Sequence, residues 1–171
     1  MQALDDVNWV GWVPREVATL VFVIRQGEIL LIRKLRGLGA GKINGPGGRL
    51  EPGESLLDCA VREVQEELRV TPIGLEYGGE IRFQFVDGYS LHVHCYRATD
   101  IVGQPQATDE AIPLWSALED IPYDDMWDDD RIWLPQLIAK QLFSGQFLFE
   151  GDRLLDYALE VRQFDEATAA E

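Results

Sequence analysis

The sequence predicts an α/β fold: a mixed β-sheet with helices on both faces, not a doubly wound parallel sheet. Three observations predict it. β-rich runs come in pairs separated by turn residues, one strongly amphipathic helix follows the first pair, and strands and helices alternate without a regular βαβ rhythm. The 171 residues suffice for one compact domain with a real core and are too few for two comfortable ones, so residues 1–171 are expected to form a single domain.

Residues 1–16 read as an N-terminal extension carrying Trp9 and Trp12, either packed on the sheet or engaged in a dimer contact. Ala18 to Ile24 is apolar and β-rich, Gln26-Gly27 breaks it, and Glu28 to Lys34 follows, which predicts a hairpin of buried strands. Gly37 to Gly53 holds seven glycines and two prolines and reads as loop. Ser55 to Arg69 reads as a helix: Ser55 with Asp58 forms a variant N-cap pattern, and Leu57, Ala60, Val61, Val64 and Leu68 recur at helical spacing. Ile81 to Val86 alternates, Asp87-Gly88 signals a turn, and Leu91 to Tyr96 completes a second hairpin. Trp115 ends a short apolar piece. Ile132 to Phe143 has helical spacing, with Pro135 tolerable only in the first turn. Phe147 to Phe149 and Leu154 to Val161 flank Gly151-Asp152 as a closing hairpin. Residues 163–171 are mostly small, polar or acidic and read as a loose tail.

The net charge is −15, from 30 acids against 15 bases, which repels long nucleic acid. A small anion is repelled as well unless a cation or a local basic cluster reverses the sign. Arg33, Lys34, Arg36, Lys42 and Arg49 form such a cluster, or else a solvated loop. No apolar run approaches the ~20 residues of a membrane span, and the first residues lack the basic end and apolar core of a secretion signal. Cytoplasmic location is therefore expected. Cys59 and Cys95 form no zinc spacing and read as buried reduced thiols.

Chemistry concentrates on the first helix. Glu63, Glu66 and Glu67 stand at i, i+3 and i+4 and fall within roughly 100° of one another on the helical wheel. Such like-charge neighbours destabilise a helix by roughly 0.2–0.5 kcal/mol per pair and raise one another's pKa. A divalent cation removes both penalties, and an all-oxygen donor set selects Mg²⁺ or Mn²⁺ over Zn²⁺. A solvated acidic face is the alternative. The context favours the cation. The helix is entered through Gly47-Gly48 and Pro52-Gly53, where backbone can approach a ligand, and Arg62 can orient a glutamate by a bidentate contact.

The segment Gly48 to Val70, GRLEPGESLLDCAVREVQEELRV, resembles the Nudix box. The matching positions are Gly48, Glu54, Arg62, Glu63, Val64, Glu66, Glu67 and Val70; Arg69 stands where the pattern has its final glycine. The resemblance implies a Nudix α/β/α sandwich and hydrolysis of a nucleotide phosphoanhydride. It makes Glu63, Glu66 and Glu67 metal ligands and one of them, or Glu110, the general base. Gly37 to Gly48, Asp109-Glu110, Ile121 to Trp133 and Gly145 to Val161 further resemble the MutT-type oxidised-purine nucleoside triphosphatases, over about Thr19 to Val161. That resemblance implies Mg²⁺-dependent conversion of a triphosphate such as 8-oxo-dGTP to monophosphate and pyrophosphate, in nucleotide-pool sanitation and DNA repair.

By the same resemblance Thr19, Lys34, Asn44, Phe83, Trp127, Asp129 and Asp130 are pocket residues and Glu110 is the acid of a catalytic loop. Residue chemistry agrees with a purine pocket. Trp127 offers a stacking face worth roughly 1–3 kcal/mol per base, Asn44 both donates and accepts, and adjacent Asp129 and Asp130 can share a proton. The plain alternatives are a core or interface role for Trp127, core packing for Phe83, and helix N-capping for the aspartates. Ile43, Leu91, Ala111 and Asp128 depart from the residues this group carries. The expected partner is a small nucleotide, with no nucleic acid polymer and no membrane, acting on a monomer or weak homodimer. Rival readings are a Nudix diphosphatase for ADP-ribose, a dinucleoside polyphosphate or an unmodified triphosphate, a non-catalytic nucleotide sensor, and an acidic interaction domain.

Overall fold

The computed structural model describes residues 1–163, so the expectation for the tail falls, beyond Gln163, outside the described residues. The first hairpin forms as β1 (Glu16–Arg25) and β2 (Glu28–Lys34). Gln26 and Gly27 both take positive φ, 52° and 77°, the combination a two-residue hairpin turn of matching twist needs. The strands pair only at Ile24↔Ile29 and Arg25↔Glu28 and then part. β1 goes on to pair with β4 (Gly47–Arg49) and, in parallel, with β7 (Ser90–Ala98). β2 pairs with β3 (Ile43–Asn44) and β9 (Ala111–Ala117). The gap where β1 and β2 separate opens a cleft in the sheet. The glycine-rich segment expected to be loop thus supplies two short strands, and the apolar piece ending near Trp115 is the strand β9.

α1 (Leu56–Leu68) lies within the expected span. The Ser55 hydroxyl accepts the Asp58 N–H at 3.1 Å. Arg69 ends the helix in the left-handed region, φ 62° and ψ 29°, its N–H returning to the Gln65 carbonyl. The position thus keeps a glycine-like conformation without glycine, at about 1 kcal/mol.

The second hairpin, β6 (Glu76–Phe85) with β7, is longer than the sequence pattern indicated. β5 (Thr71–Ile73) and β8 (Asp100–Val102) pair separately as a small ribbon. The second helix requires a correction. α2 spans Asp130–Ile138, and Phe143 belongs to β10 (Gln141–Glu150). Lys140, with φ 59°, turns the chain between them. Pro135 sits sixth in this short helix, beyond the first turn. β10 runs parallel to β6 and antiparallel to β11 (Arg153–Gln163), so the strand pairing claims the apolar residues that helical spacing had assigned to the helix.

The large sheet runs β11-β10-β6-β7-β1-β2-β3 and is mixed. Alternate residues feed two cores. Val21, Val23, Leu30 and Ile32 pack with Ala60, Val64 and Leu68 of α1. Phe22, Ile29, Leu31, Ile81 and Phe147 pack with Trp133, Leu134 and Leu137 of α2. The two helices therefore cover opposite faces, as the period-two pattern of these strands demands. Each fully buried leucine or phenylalanine contributes about 1.5–3 kcal/mol. The N-terminal extension packs on the sheet: Leu4 N–H reaches Asp156 Oδ2 at 2.9 Å and Trp12 Nε1–H reaches Gln84 Oε1 at 2.9 Å. Among the described residues no helix is long and apolar enough to cross a membrane.

Candidate active site

The acidic face of α1 is aimed at the parting of β1 and β2. Docking of Ala60, Val64 and Leu68 turns Glu67 inward, where it is 3% exposed and accepts the Gly47 N–H at 2.8 Å. Burial pushes its carboxyl up to about 8, Gly47 pulls it down, and the Glu63 charge pushes it up again. Glu63 is also raised, chiefly by burial. Glu66 is half-exposed at the rim.

Arg62 organises the group. Its Nε and Nη2 grip the two oxygens of Glu54 at 2.6 and 2.9 Å, and Nη2 also donates to the Arg49 carbonyl at 3.0 Å. Nη1 reaches Glu63 at 2.8 Å and Glu66 at 3.2 Å. The guanidinium holds Glu54 down at about 2. A Cβ at Gly48 would overlap the Glu63 carboxylate, so a side chain there would push Glu63 out of place. A Cβ at Gly47 would run into the β1 backbone at Thr19.

Three carboxylates converge while Arg62 is largely committed to Glu54. Burial first, and then the Glu63 charge, keep Glu67 from ionising in the usual carboxylate range, against the opposing pull of Gly47 N–H and Lys34. An oxygen-only donor set in that condition fits a hard divalent cation.

Beside the glutamates lies a cavity of about 160 Å³. It draws on both sides of the sheet because β1 and β2 have separated. Lys34 and Glu67 line it from one side and Leu20, Phe83, Trp127 and Asp130 from the other. Burial lowers the Lys34 ammonium pKa, while Glu67 draws it back up. Trp127 is held edge-on by Phe149 at 5.4 Å and Phe85 at 6.2 Å, with Lys42 Nζ 5.4 Å from the ring centroid. Gly39, at φ 80°, lies so close to the indole that a side chain there would collide with it. Asn44 accepts the Gly45 N–H at 2.8 Å, which orients its amide.

Asp129 and Asp130 are buried at 2% and 3% exposure. Asp129 occupies the N-cap position of α2, yet its side chain makes no capping bond; its Oδ2 instead accepts the Trp133 Nε1–H at 2.7 Å. Asp130 Oδ2 is buried without a hydrogen-bond partner among the described residues. Burial raises both carboxyls, Asp129 to about 7 and Asp130 well above its ordinary value.

Of the residues singled out from sequence, Lys34, Asn44, Gly47, Gly48, Glu67, Phe83, Trp127, Asp129 and Asp130 all border this cavity. Thr19 borders it too, but its hydroxyl lies 3.4 Å from Cys59 Sγ beneath α1. Glu110 stands near the glutamates, paired with Arg36 at 3.2 Å. Among the departures, Leu91 lines the cavity, whereas Ile43 and Ala111 are buried in the cores. Asp128 accepts the Leu154 N–H at 3.2 Å. Leu38, Phe85, Tyr89 and Trp133 also line the cavity. Sequence reading missed them because only the folded chain brings their segments together. Cys59 and Cys95 are buried free thiols, as expected.

Residues 14–137 match the NUDIX domain family model. The chain belongs to the Nudix family. It is 40% identical over 147 residues to an oxidized purine nucleoside triphosphate hydrolase of Danio rerio, spanning 85% of this chain and 94% of that one. It is 41% identical over 149 residues to the Mus musculus protein of the same name, spanning 85% and 96%. Among solved structures, a Bacillus halodurans MutT protein superposes with a TM-score of 0.75 at 27% identity, covering 85% of this chain and 97% of that one. The chain is thus a Nudix hydrolase with a MutT-like fold, from a family that works with divalent cations on small nucleotides.

Proposed function

We propose that this Nudix hydrolase converts oxidised purine nucleoside triphosphates, of the 8-oxo-dGTP class, to the monophosphate and pyrophosphate, so clearing them from the nucleotide pool. The observation that carries the reading is the buried Asp129–Asp130 pair, one of whose carboxyl oxygens has no partner among the described residues, beside Trp127 and Phe83. The related hydrolases from Danio rerio and Mus musculus support it by their names.

Oxidation at C8 turns the purine N7 from an acceptor into an N–H donor and adds a carbonyl. Two buried carboxyls sharing one proton can accept from N–H groups and donate to a carbonyl at the same time. The parent purine leaves part of that arrangement unmatched, and unmatched buried polar groups are what make such sites selective. Trp127 and Phe83 provide the faces between which the base lies, and Asn44 adds an oriented amide.

The phosphate chain then extends toward the glutamates. Lys34 supplies positive charge beside it. Glu63, Glu66 and Glu67 would hold Mg²⁺, which when bound would neutralise charge on the phosphates and lower the pKa of water. Arg62 fixes the glutamates through its clamp on Glu54. The proton of the attacking water goes to a carboxylate of this group or to Glu110. Water adds to one phosphorus of the α–β anhydride, the bridging P–O bond to that phosphorus breaks, and the monophosphate and pyrophosphate separate.

A turnover panel of 8-oxo-dGTP, dGTP and ADP-ribose, with and without Mg²⁺, tests this reading. 8-oxo-dGTP is expected to lead dGTP by about tenfold or more in kcat/KM, equivalent to about 1.4 kcal/mol, and all turnover is expected to stop with EDTA. Equal turnover of dGTP, or preference for ADP-ribose, would overturn the proposal.

A further inference from the structure

We propose a second cation site, for a zinc-class divalent transition metal, formed by Glu80, His92 and His94 on the sheet face that α1 leaves uncovered. His92 and His94 are the chain's only two histidines. They stand two apart on β7 and so project to one face, and Glu80 on β6 is the cross-strand partner of His94. One ligand atom from each of the three lies within 4.8 Å of the others. His92 Nε2 is 3.0 Å from Glu80 Oε2, and the imidazole centroids are 4.3 Å apart.

Two imidazoles and a carboxylate are the donors of zinc-type sites, not of magnesium sites, and three protein ligands leave a fourth position for water. The surroundings orient the set. Tyr77 Oη is 2.7 Å from His94 Nδ1, and with Nδ1–H donating to that hydroxyl, the Nε2 lone pair is left for a cation. Ser144 Oγ–H donates to Glu80 Oε1 at 3.2 Å, which leaves Oε2 as the ligand atom. Trp12 from the N-terminal extension lies edge-on to His92 with centroids 6.1 Å apart. Arg82, 3.4 Å from Glu80 Oε1, is the opposing charge.

The position gives the site a consequence. Phe83 on β6 and Leu91 on β7 line the nucleotide cavity from the opposite face of the same strands. A cation bridging Glu80 to the histidines fastens those two strands together behind the cavity wall.

The deciding experiment is titration of Zn²⁺ into the whole protein, selectively ¹⁵N-labelled at histidine and saturated with Mg²⁺ so that the α1 glutamates are occupied. Both imidazoles are expected to shift together and reach an end point at one Zn²⁺ per chain. In calorimetry under the same conditions, His94→Asn and Glu80→Gln are each expected to weaken Zn²⁺ binding by roughly 10–100-fold or more. Histidine signals that stay still through the titration, or Zn²⁺ affinity unchanged in both variants, would overturn the proposal. The spectra are read on the unaltered chain, so a poorly folded variant does not blunt the test.

Discussion

Single atoms decide most of the candidate site. A Cβ at Gly48 would fall on the Glu63 carboxylate. Gly48→Ala is therefore expected to leave the fold in place but displace Glu63, lowering kcat by about a hundredfold, the scale of an ångström-sized misplacement; circular dichroism and steady-state kinetics together check it. Asp129 makes a separate prediction. Its folded carboxyl is raised to about 7 from an ordinary 3.8, chiefly by burial. Between those values the folded chain keeps a proton that the unfolded chain releases, so stability falls as pH rises through the window, by up to about 1.4 kcal/mol per pH unit. Thermal melts without nucleotide are expected to show that decline, and Asp129→Asn, which still accepts from Trp133, is expected to flatten part of it. Glu63, Glu66 and Glu67 were legible from sequence because helical spacing alone forces them together. The meaning of Asp129 and Asp130 was not. Their position fits an N-cap equally well, and only the Trp133 hydrogen bond and the unpartnered oxygen separate the two readings.

At the scale of elements, local patterns succeeded where local forces govern. The Gln26-Gly27 turn, the Asp87-Gly88 turn and the α1 stripe through Ala60, Val64 and Leu68 formed where the residues place them, but Leu57, read as part of that stripe, is 50% exposed and Leu56 packs on the core instead. The C-terminal limit of α2 failed because Leu142 and Phe143 satisfy a helical period and a strand face alike, and pairing with β6 and β11 outweighs the local preference. The parting of β1 from β2 was equally hidden, since it depends on partners distant in sequence. Arg69 at the end of α1 carries the strain of a left-handed residue. Arg69→Gly is expected to raise unfolding stability by about 0.5–1 kcal/mol without altering turnover, as read from urea unfolding beside an activity assay. A loss of stability would mean that Arg69 contributes contacts beyond its backbone.

Across the whole molecule, a strongly acidic protein brings a polyanionic substrate to a cluster of its own carboxylates. That is reasonable only if cations stand between them, so the proposed function requires metal and nucleotide to act together. The parted strands join two kinds of recognition. In the proposed function, glutamates from the α1 face would meet the phosphates and aspartates at the start of α2 the base. The proposed selectivity rests on the base being read by Asp129 and Asp130. The most direct measurement is the ratio of kcat/KM for 8-oxo-dGTP over dGTP with saturating Mg²⁺, compared between the unaltered chain and Asp130→Ala. The expected ratio is about ten or more in the unaltered chain and about one in the variant, through loss of 8-oxo-dGTP turnover while dGTP turnover persists. A ratio that survives the substitution would contradict a base-reading role for the aspartate pair.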